Sequence, residues 1–246
     1  MGDTLSKTQP LQIDLSDSPL WHRWLQPLWA ASQFLPAPFD ASQIASDMAA
    51  YDAADASGYR AELLTVLRRH LTAAKHTIEQ DFLATHDGAV YVGQHARCID
   101  ALLRLLRDEA CKIIPQSDAI AVIAVGGYGR GEMAPFSDID VMFLMPAKTS
   151  KKHEAAIEFM LYLLWDLGLK IGHSTRSITE AINAGRDDQT VMTSFLEMRL
   201  VCGDAALWKK LSNTLRLEIA NNKPHVFVEE KLAERDLRHK KRISRD

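Results

Sequence analysis

Cysteine is scarce in this chain, basic charge does not predominate, and no apolar run approaches the ~18 residues that a membrane-crossing helix requires. The three cysteines, Cys98, Cys111 and Cys202, are odd in number and lack metal-ligand spacing. That excludes a disulfide framework and a zinc knuckle, and leaves reduced, mostly buried thiols of a cytoplasmic protein. A formal net charge of −3 provides no electrostatic footprint for nucleic acid. The N-terminus has no apolar signal-peptide segment. Its MGDTLS fits a myristoylation pattern, but no basic patch accompanies it, and the match reads as chance. No Gly-Lys-Ser/Thr occurs, so there is no Walker phosphate loop. Neither a membrane nor nucleic acid is expected as a partner.

What remains is an ordinary globular composition, 47% apolar and 25% charged over 246 residues, enough for one or two domains with a real core. Residues 1–58 are punctuated by proline, with Ala, Ser and Asp dominating from Ala41 to Ser57, and are expected to form a partly disordered leader, with Trp21, Trp24 and Trp29 packing a short helix or docking a partner. Leu63, Leu67, Leu71, Ala74, Ile78 and Phe82 step by three or four, which predicts a helix over Tyr59–Thr85. Val92, Ala96, Ile99, Leu103, Leu106, Ala110 and Ile113 predict a second over Ala89–Ile113, and Asp87-Gly88 between them makes an antiparallel hairpin.

The chemistry-bearing stretch is Ala119–Met145, AIAVIAVGGYGRGEMAPFSDIDVMFLM. It reads as a buried strand, a glycine-rich turn, a short helix and a second buried strand. Gly126 and Gly127 let the backbone approach a ligand, and Gly127 is expected at a φ that only glycine tolerates. Asp138 and Asp140, two apart on a strand, present both carboxylates to one face. Like charges there repel; a hard divalent cation between them offsets the cost. Gly127, Gly129 and Gly131 do not make the dinucleotide fingerprint, whose acid stands further on after a long helix. An Asp-x-Asp glycosyltransferase would not require the glycine turn. A plain turn with two solvated aspartates would fit a lone Asp-x-Asp, but the glycine turn and Ser-Asp-Ile-Asp between two apolar strands are more specific.

Further along, Lys151–Leu167 is predicted helical with Gly168 as its stop, and Leu169–Thr175 is predicted as a strand. On that strand Ile171 and His173 face one way, Gly172 and Ser174 the other. Ser177-Ile-Thr-Glu180 reads as a capping box. Helices are expected over Asp187–Val201, from about Asp204 to Asn221 with Lys209-Lys210 on a solvated face, and over Val226–His239.

Gly-Gly followed by Asp-x-Asp eleven residues after the second glycine resembles the signature of the DNA-polymerase-β-type nucleotidyltransferases. GGYGRGEMAPFSDIDVMFL, with LLWDLGLKIGHSTRS, DDQTVMTSFLEMRLVCGD and KLAERDLRH downstream, is similar to the bacterial PII uridylyltransferase/uridylyl-removing enzyme family. The resemblance implies an α/β (α+β) nucleotidyltransferase core over 116–204, an N-terminal helical hairpin over 59–115 and helices over 205–246. It implies transfer of UMP from UTP to a tyrosine of the PII signal protein, with Mg2+ (or Mn2+) on Asp138 and Asp140. Gly126 and Gly127 would cradle the triphosphate. Arg130 would neutralise phosphate or lie on the surface, and Ser137 would bond phosphate or cap its turn. Arg176 and Arg199 would contact phosphate or pair with Glu197 and its neighbours. A related adenylyl- or other nucleotidyltransferase, or a non-catalytic remnant that binds nucleotide or PII, are the competing readings.

Two departures stand out. The third carboxylate usual in such sites is missing from KIGHSTR, so the general base is open between His173, Asp187 and Asp188. The hydrolase and glutamine-binding domains of the resembled family have no counterpart after KLAERDLRH. The chain is therefore expected to be truncated, with no uridylyl-removing activity.

Overall fold

The computed structural model describes residues 39–51 and 56–221. Among them, eight helices surround one four-stranded sheet. The helices α1 (Ala41–Met48), α2 (Ala56–Thr85) and α3 (Gly88–Ile113) lead into strand β1 (Ala121–Ala124), the turn helix α4 (Gly126–Gly129) and strand β2 (Ile139–Leu144). Then come α5 (Lys151–Asp166), β3 (Ile171–Arg176), α6 (Ile178–Asp187), α7 (Gln189–Leu196), β4 (Arg199–Gly203) and α8 (Ala205–Asn221). No helix among the described residues is long and apolar enough to cross a membrane.

The sheet runs β3-β2-β1-β4, with β1 antiparallel to both neighbours and β2 parallel to β3. Its two faces are sorted by the period-two alternation of the strands. Val122, Ala124, Val141 and Phe143 join the core made with α2, α3 and α5. Ala121, Ile123, Met142 and Leu144 join a second core with Ala181 and Ile182 of α6, Met192 and Phe195 of α7, and Leu211 and Leu215 of α8. Covered on both sides, β1 and β2 need continuous apolar runs, and only Asp140 interrupts them.

The helical hairpin forms as its stripes require: Leu63, Leu67, Leu71, Ala74 and Ile78 of α2 are buried beside Ala96, Ile99, Leu103, Leu106 and Ala110 of α3. Tyr59 Oη donates to Glu109 Oε2 at 2.5 Å across the pair. The break between the helices centres on His86, at φ 53, and Asp87, whose carboxylate caps α3 by accepting from the Ala89 and Val90 amides. The capping boxes of α5 (Ser150 with His153) and α6 (Ser177 with Glu180) are both formed.

Within the span expected as a leader, Asp40 caps α1, and Phe39, Ile44 and Met48 are buried in the hairpin core. One expectation is corrected: the helix expected over Asp187–Val201 stops at Leu196, and Arg199–Gly203 is a fourth strand paired with β1. Hydrophobic spacing does not separate a short buried strand from a helix turn, and here sheet pairing decides. Trp21, Trp24, Trp29 and the helix expected over Val226–His239 lie outside the described residues. Lys209 and Lys210 are exposed on α8, whose N-terminus Asp204 caps by accepting from Ala206 and Leu207 amides.

Candidate active site

Strand β1 ends at the glycine turn, and the chain returns to the same edge of the sheet as β2 begins. The Val125 amide donates to the Asp140 carbonyl at 3.1 Å, tying the start of the turn to the aspartate strand. Gly126 has φ +58, and its Gly127 neighbour does not lie in the left-handed region. The strain expected at Gly127 therefore belongs to Gly126. The chain must reverse from extended Val125 into a helical turn, and that reversal occurs one residue earlier than expected. The turn closes through amide donations from Gly129 to the Val125 carbonyl (3.0 Å) and from Arg130 to the Gly126 carbonyl (3.1 Å).

Asp138 and Asp140 flank buried Ile139, and both are exposed at the mouth of β2. Asp140 is the more enclosed in its electrostatics: desolvation, and then the charge of Asp138, raise its pKa. Its Oδ2 lies 3.6 Å from where a Cβ would stand on Gly126, and a Cβ on Gly172 would overlap its Oδ1. Gly172 is its register partner on parallel β3. The carboxylate is thus seated between two glycines, one from the turn and one from the neighbouring strand. Two adjacent hard-oxygen donors, with the charge of Asp140 disfavoured by desolvation and by its neighbour, fit a divalent cation of the Mg2+ type. Among the described residues there is no group of three or more His, Cys, Asp or Glu side chains placed to hold a metal. The donor set here is a pair.

The other expected residues are distributed as follows. The Ser137 hydroxyl donates to the Ala134 carbonyl at 2.7 Å and caps its own turn. Phe136, just before it, is 92% exposed at φ 65. Arg130 is held by Glu132 (2.8 Å) and by Glu197 of the α7–β4 link (2.6 Å). Glu197 is therefore taken, and Arg199 turns the other way, forming a two-pronged pair with Asp100 of α3 at 2.6 and 3.0 Å. His173 stands on the face of β3 opposite Gly172, its ring 5.9 Å from that of Trp165, so the sheet separates it from the Asp140 carboxylate. Asp188 caps α7 by accepting from the Thr190 amide at 2.7 Å, and Asp187 is exposed at the end of α6. Arg176 lies at the far end of β3, opposite Leu144, over the Phe195 ring.

Reading the sequence alone missed two features. One is Gly172, although a lone glycine inside a strand signals close approach of another group. The other is the joining of Asp100, Tyr128 and Arg199. These residues come from three separated segments, and no spacing pattern links them.

A glycine turn and a carboxylate pair stand at adjacent strand ends of a mixed sheet covered by helices, and residues 103–199 match the family described as nucleotidyltransferase domain. The chain carries a nucleotidyltransferase domain. More particularly, it is homologous to the N-terminal part of proteins named bifunctional uridylyltransferase/uridylyl-removing enzyme. It is 42% identical to that of Rhodospirillum rubrum over 187 residues, which is 73% of this chain and 20% of the relative. Identity is 40% over 204 residues with the Ruegeria pomeroyi protein (80% and 22%). It is 35% over 212 residues with that of Rhodopseudomonas palustris (82% and 23%). The chain spans about a fifth of the length of the curated relatives it matches.

Proposed function

We propose that this chain transfers UMP from UTP to a tyrosine hydroxyl of a PII-type signal protein, with Asp138 and Asp140 holding Mg2+ or Mn2+. The observation that carries the reading is the seating of Asp140 between Gly126 and Gly172, inside a segment homologous to uridylyltransferases. The metal, when bound, neutralises charge on the triphosphate and on the attacking and leaving oxygens. The chain's own contribution is placement. The backbone at Gly126 and Gly127, free of Cβ atoms, takes the triphosphate, and Ile139, buried between the aspartates, fixes both carboxylates toward the same side. The acceptor oxygen bonds to the α-phosphorus, the bond to pyrophosphate breaks, and the hydroxyl proton passes to water.

That proton bears on the acceptor. Glycine stands across from Asp140 on β3, and His173 lies on the far face. A phenol, with a pKa of about 10, ionises far more readily than an aliphatic alcohol and asks less of a base. A tyrosine acceptor suits such a site. Release of labelled pyrophosphate on mixing the chain with UTP, Mg2+ and PII tests the reading. Release with ATP in place of UTP would reassign the base, and no release with either would make the chain a binding remnant.

A further inference from the structure

Behind the glycine turn lies a buried polar network that the transfer chemistry does not use. Tyr128, inside the turn, is 2% exposed, and its hydroxyl donates to Asp100 Oδ1 at 2.7 Å. Asp100, also 2% exposed, projects from the middle of α3. Arg199, at the start of β4, donates to both Asp100 oxygens, and it reaches the carbonyls of Tyr128 and Gly129 at 3.3 and 3.4 Å. Its guanidinium lies 5.4 Å from the Tyr128 ring centroid. Burial opposes the Arg199 charge, and the Asp100 carboxylate more than offsets it; burial and then the Asp100 charge hold the Tyr128 phenol well above its ordinary pKa. The phenol is therefore neutral and the guanidinium charged, and both Asp100 oxygens accept hydrogen bonds from them.

The network's place in the fold suggests its use. A four-residue helix has too few internal bonds to hold its own position, and the Gly126–Gly129 turn has three glycines, which do little to stiffen it. An apolar contact would hold the turn by one face; a charged fork on two backbone carbonyls plus a phenol anchor fixes its orientation as well. A buried ion pair of this kind is poor value as stability alone, because an apolar replacement of the same shape is often as stable. We propose that Asp100, Tyr128 and Arg199 are positioning residues: they lock the glycine turn to α3 and β4 so that its backbone is preset for a nucleoside triphosphate. The inference deepens the nucleotidyl-transfer reading and rests on it only for the identity of the ligand.

A matched control exists within the same hairpin. Tyr59 is also a buried tyrosine donating to a carboxylate on α3, Glu109, but its hydrogen bond joins α2 to α3 rather than the turn to α3. Tyr128→Phe and Tyr59→Phe each delete one hydroxyl. Backbone hydrogen exchange on the full chain without nucleotide is the first measurement. The Gly129 and Arg130 amides, which close the turn, should exchange about tenfold faster in Tyr128→Phe and at the wild-type rate in Tyr59→Phe. Arg199→Lys, which keeps the charge and loses the fork, should act like Tyr128→Phe. Titration with Mg2+ and UTP is the second measurement, with affinity expected to fall about tenfold in Tyr128→Phe alone. Equal exchange in the two tyrosine variants, or equal UTP affinity in both, overturns the proposal. If wild-type chain binds no UTP, the proposed function fails, and the exchange result still decides whether the network holds the turn.

Discussion

Gly172 on β3 stands directly across from Asp140 on β2, and a single methyl group at position 172 would occupy the space of Asp140 Oδ1. The parallel pairing of these strands puts their side chains on one face in register. An acid placed there would complete a three-carboxylate cluster. Glycine does the opposite, giving the Asp140 carboxylate room to lean over the neighbouring strand. The site is a two-carboxylate one because of the residue beside it as much as because of the residues in it.

Gly172→Ala tests that relationship. The atom met is the end of a rotatable side chain, so the overlap is relieved by turning the Asp140 carboxylate. Stability should change by less than ~1 kcal/mol, since no backbone must move. Mg2+ affinity should fall by roughly tenfold or more, because the carboxylate proposed as a metal ligand is displaced. Thermal melting with and without Mg2+ checks both halves. A large loss of apo stability would mean that the overlap is taken up by the strand.

The two turn glycines should separate by mechanism. Gly126 carries φ +58, and its added Cβ would find only ordinary contact, 3.6 Å from Asp140 Oδ2. Gly126→Ala is therefore a backbone-strain variant, costing about 1–2 kcal/mol. Gly127 has no such strain, and its Cβ would lie 3.4 Å from the Glu132 carbonyl oxygen. Gly127→Ala should cost ~0.5 kcal/mol or less while still weakening triphosphate binding through lost approach. Denaturant midpoints and UTP titration on the pair distinguish strain from access.

Much of this was legible in the residues. The strand–turn–strand around Gly126 and Asp140 reads directly, because β-branched apolar runs bracket glycines and a carboxylate pair. The hairpin reads from its 3.6-residue stripes, and the α6 cap from Ser177 and Glu180. What stayed hidden depends on pairing between distant segments. Arg199–Gly203 is five residues in an apolar stretch, and only its ladder with Ala121–Ala124 makes it a strand. Alternation alone places His173 on the face opposite Gly172. Without the register that pairs Gly172 with Asp140, nothing indicated which face carried the site. Asp100 and Arg199 lie 99 positions apart, beyond any periodic signal.

Gly129 marks where the turn meets the newly found strand. A Cβ there would overlap the Glu197 carbonyl oxygen and lie 3.1 Å from the Ala124 carbonyl oxygen. Both are backbone atoms, one just before β4 and one in β1, and neither can rotate away. Gly129→Ala should therefore lose at least ~2 kcal/mol, at the upper end for overpacking. It should also loosen β4, read as faster amide exchange across Arg199–Gly203. A wild-type melting curve would show that the turn and β4 are not in contact as described.

Asp140→Asn separates the electrostatics of the site from its architecture. The change keeps the shape and removes the charge. Desolvation, followed by the Asp138 charge, puts the folded-state pKa of Asp140 above its ordinary 3.8. Between the unfolded and the folded value the native chain binds the extra proton, so this group's contribution to stability falls as pH rises through that window and stays low above it. The metal-free Asp140→Asn chain should accordingly melt higher than wild type at pH 7, and the gap should close as pH is lowered below 3.8. Added Mg2+ should reverse the order. A ligand that binds only the native state stabilises it in proportion to its affinity, so wild type should gain melting temperature with Mg2+ while Asp140→Asn gains little. Nucleotidyl transfer should fall by about a hundredfold or more. Melting curves at three pH values, each with and without Mg2+, read the sign in both directions. A variant that melts lower than wild type without metal at pH 7 would mean that Asp140 is stabilised as a carboxylate by the fold itself, and that its charge is not held in reserve for a cation.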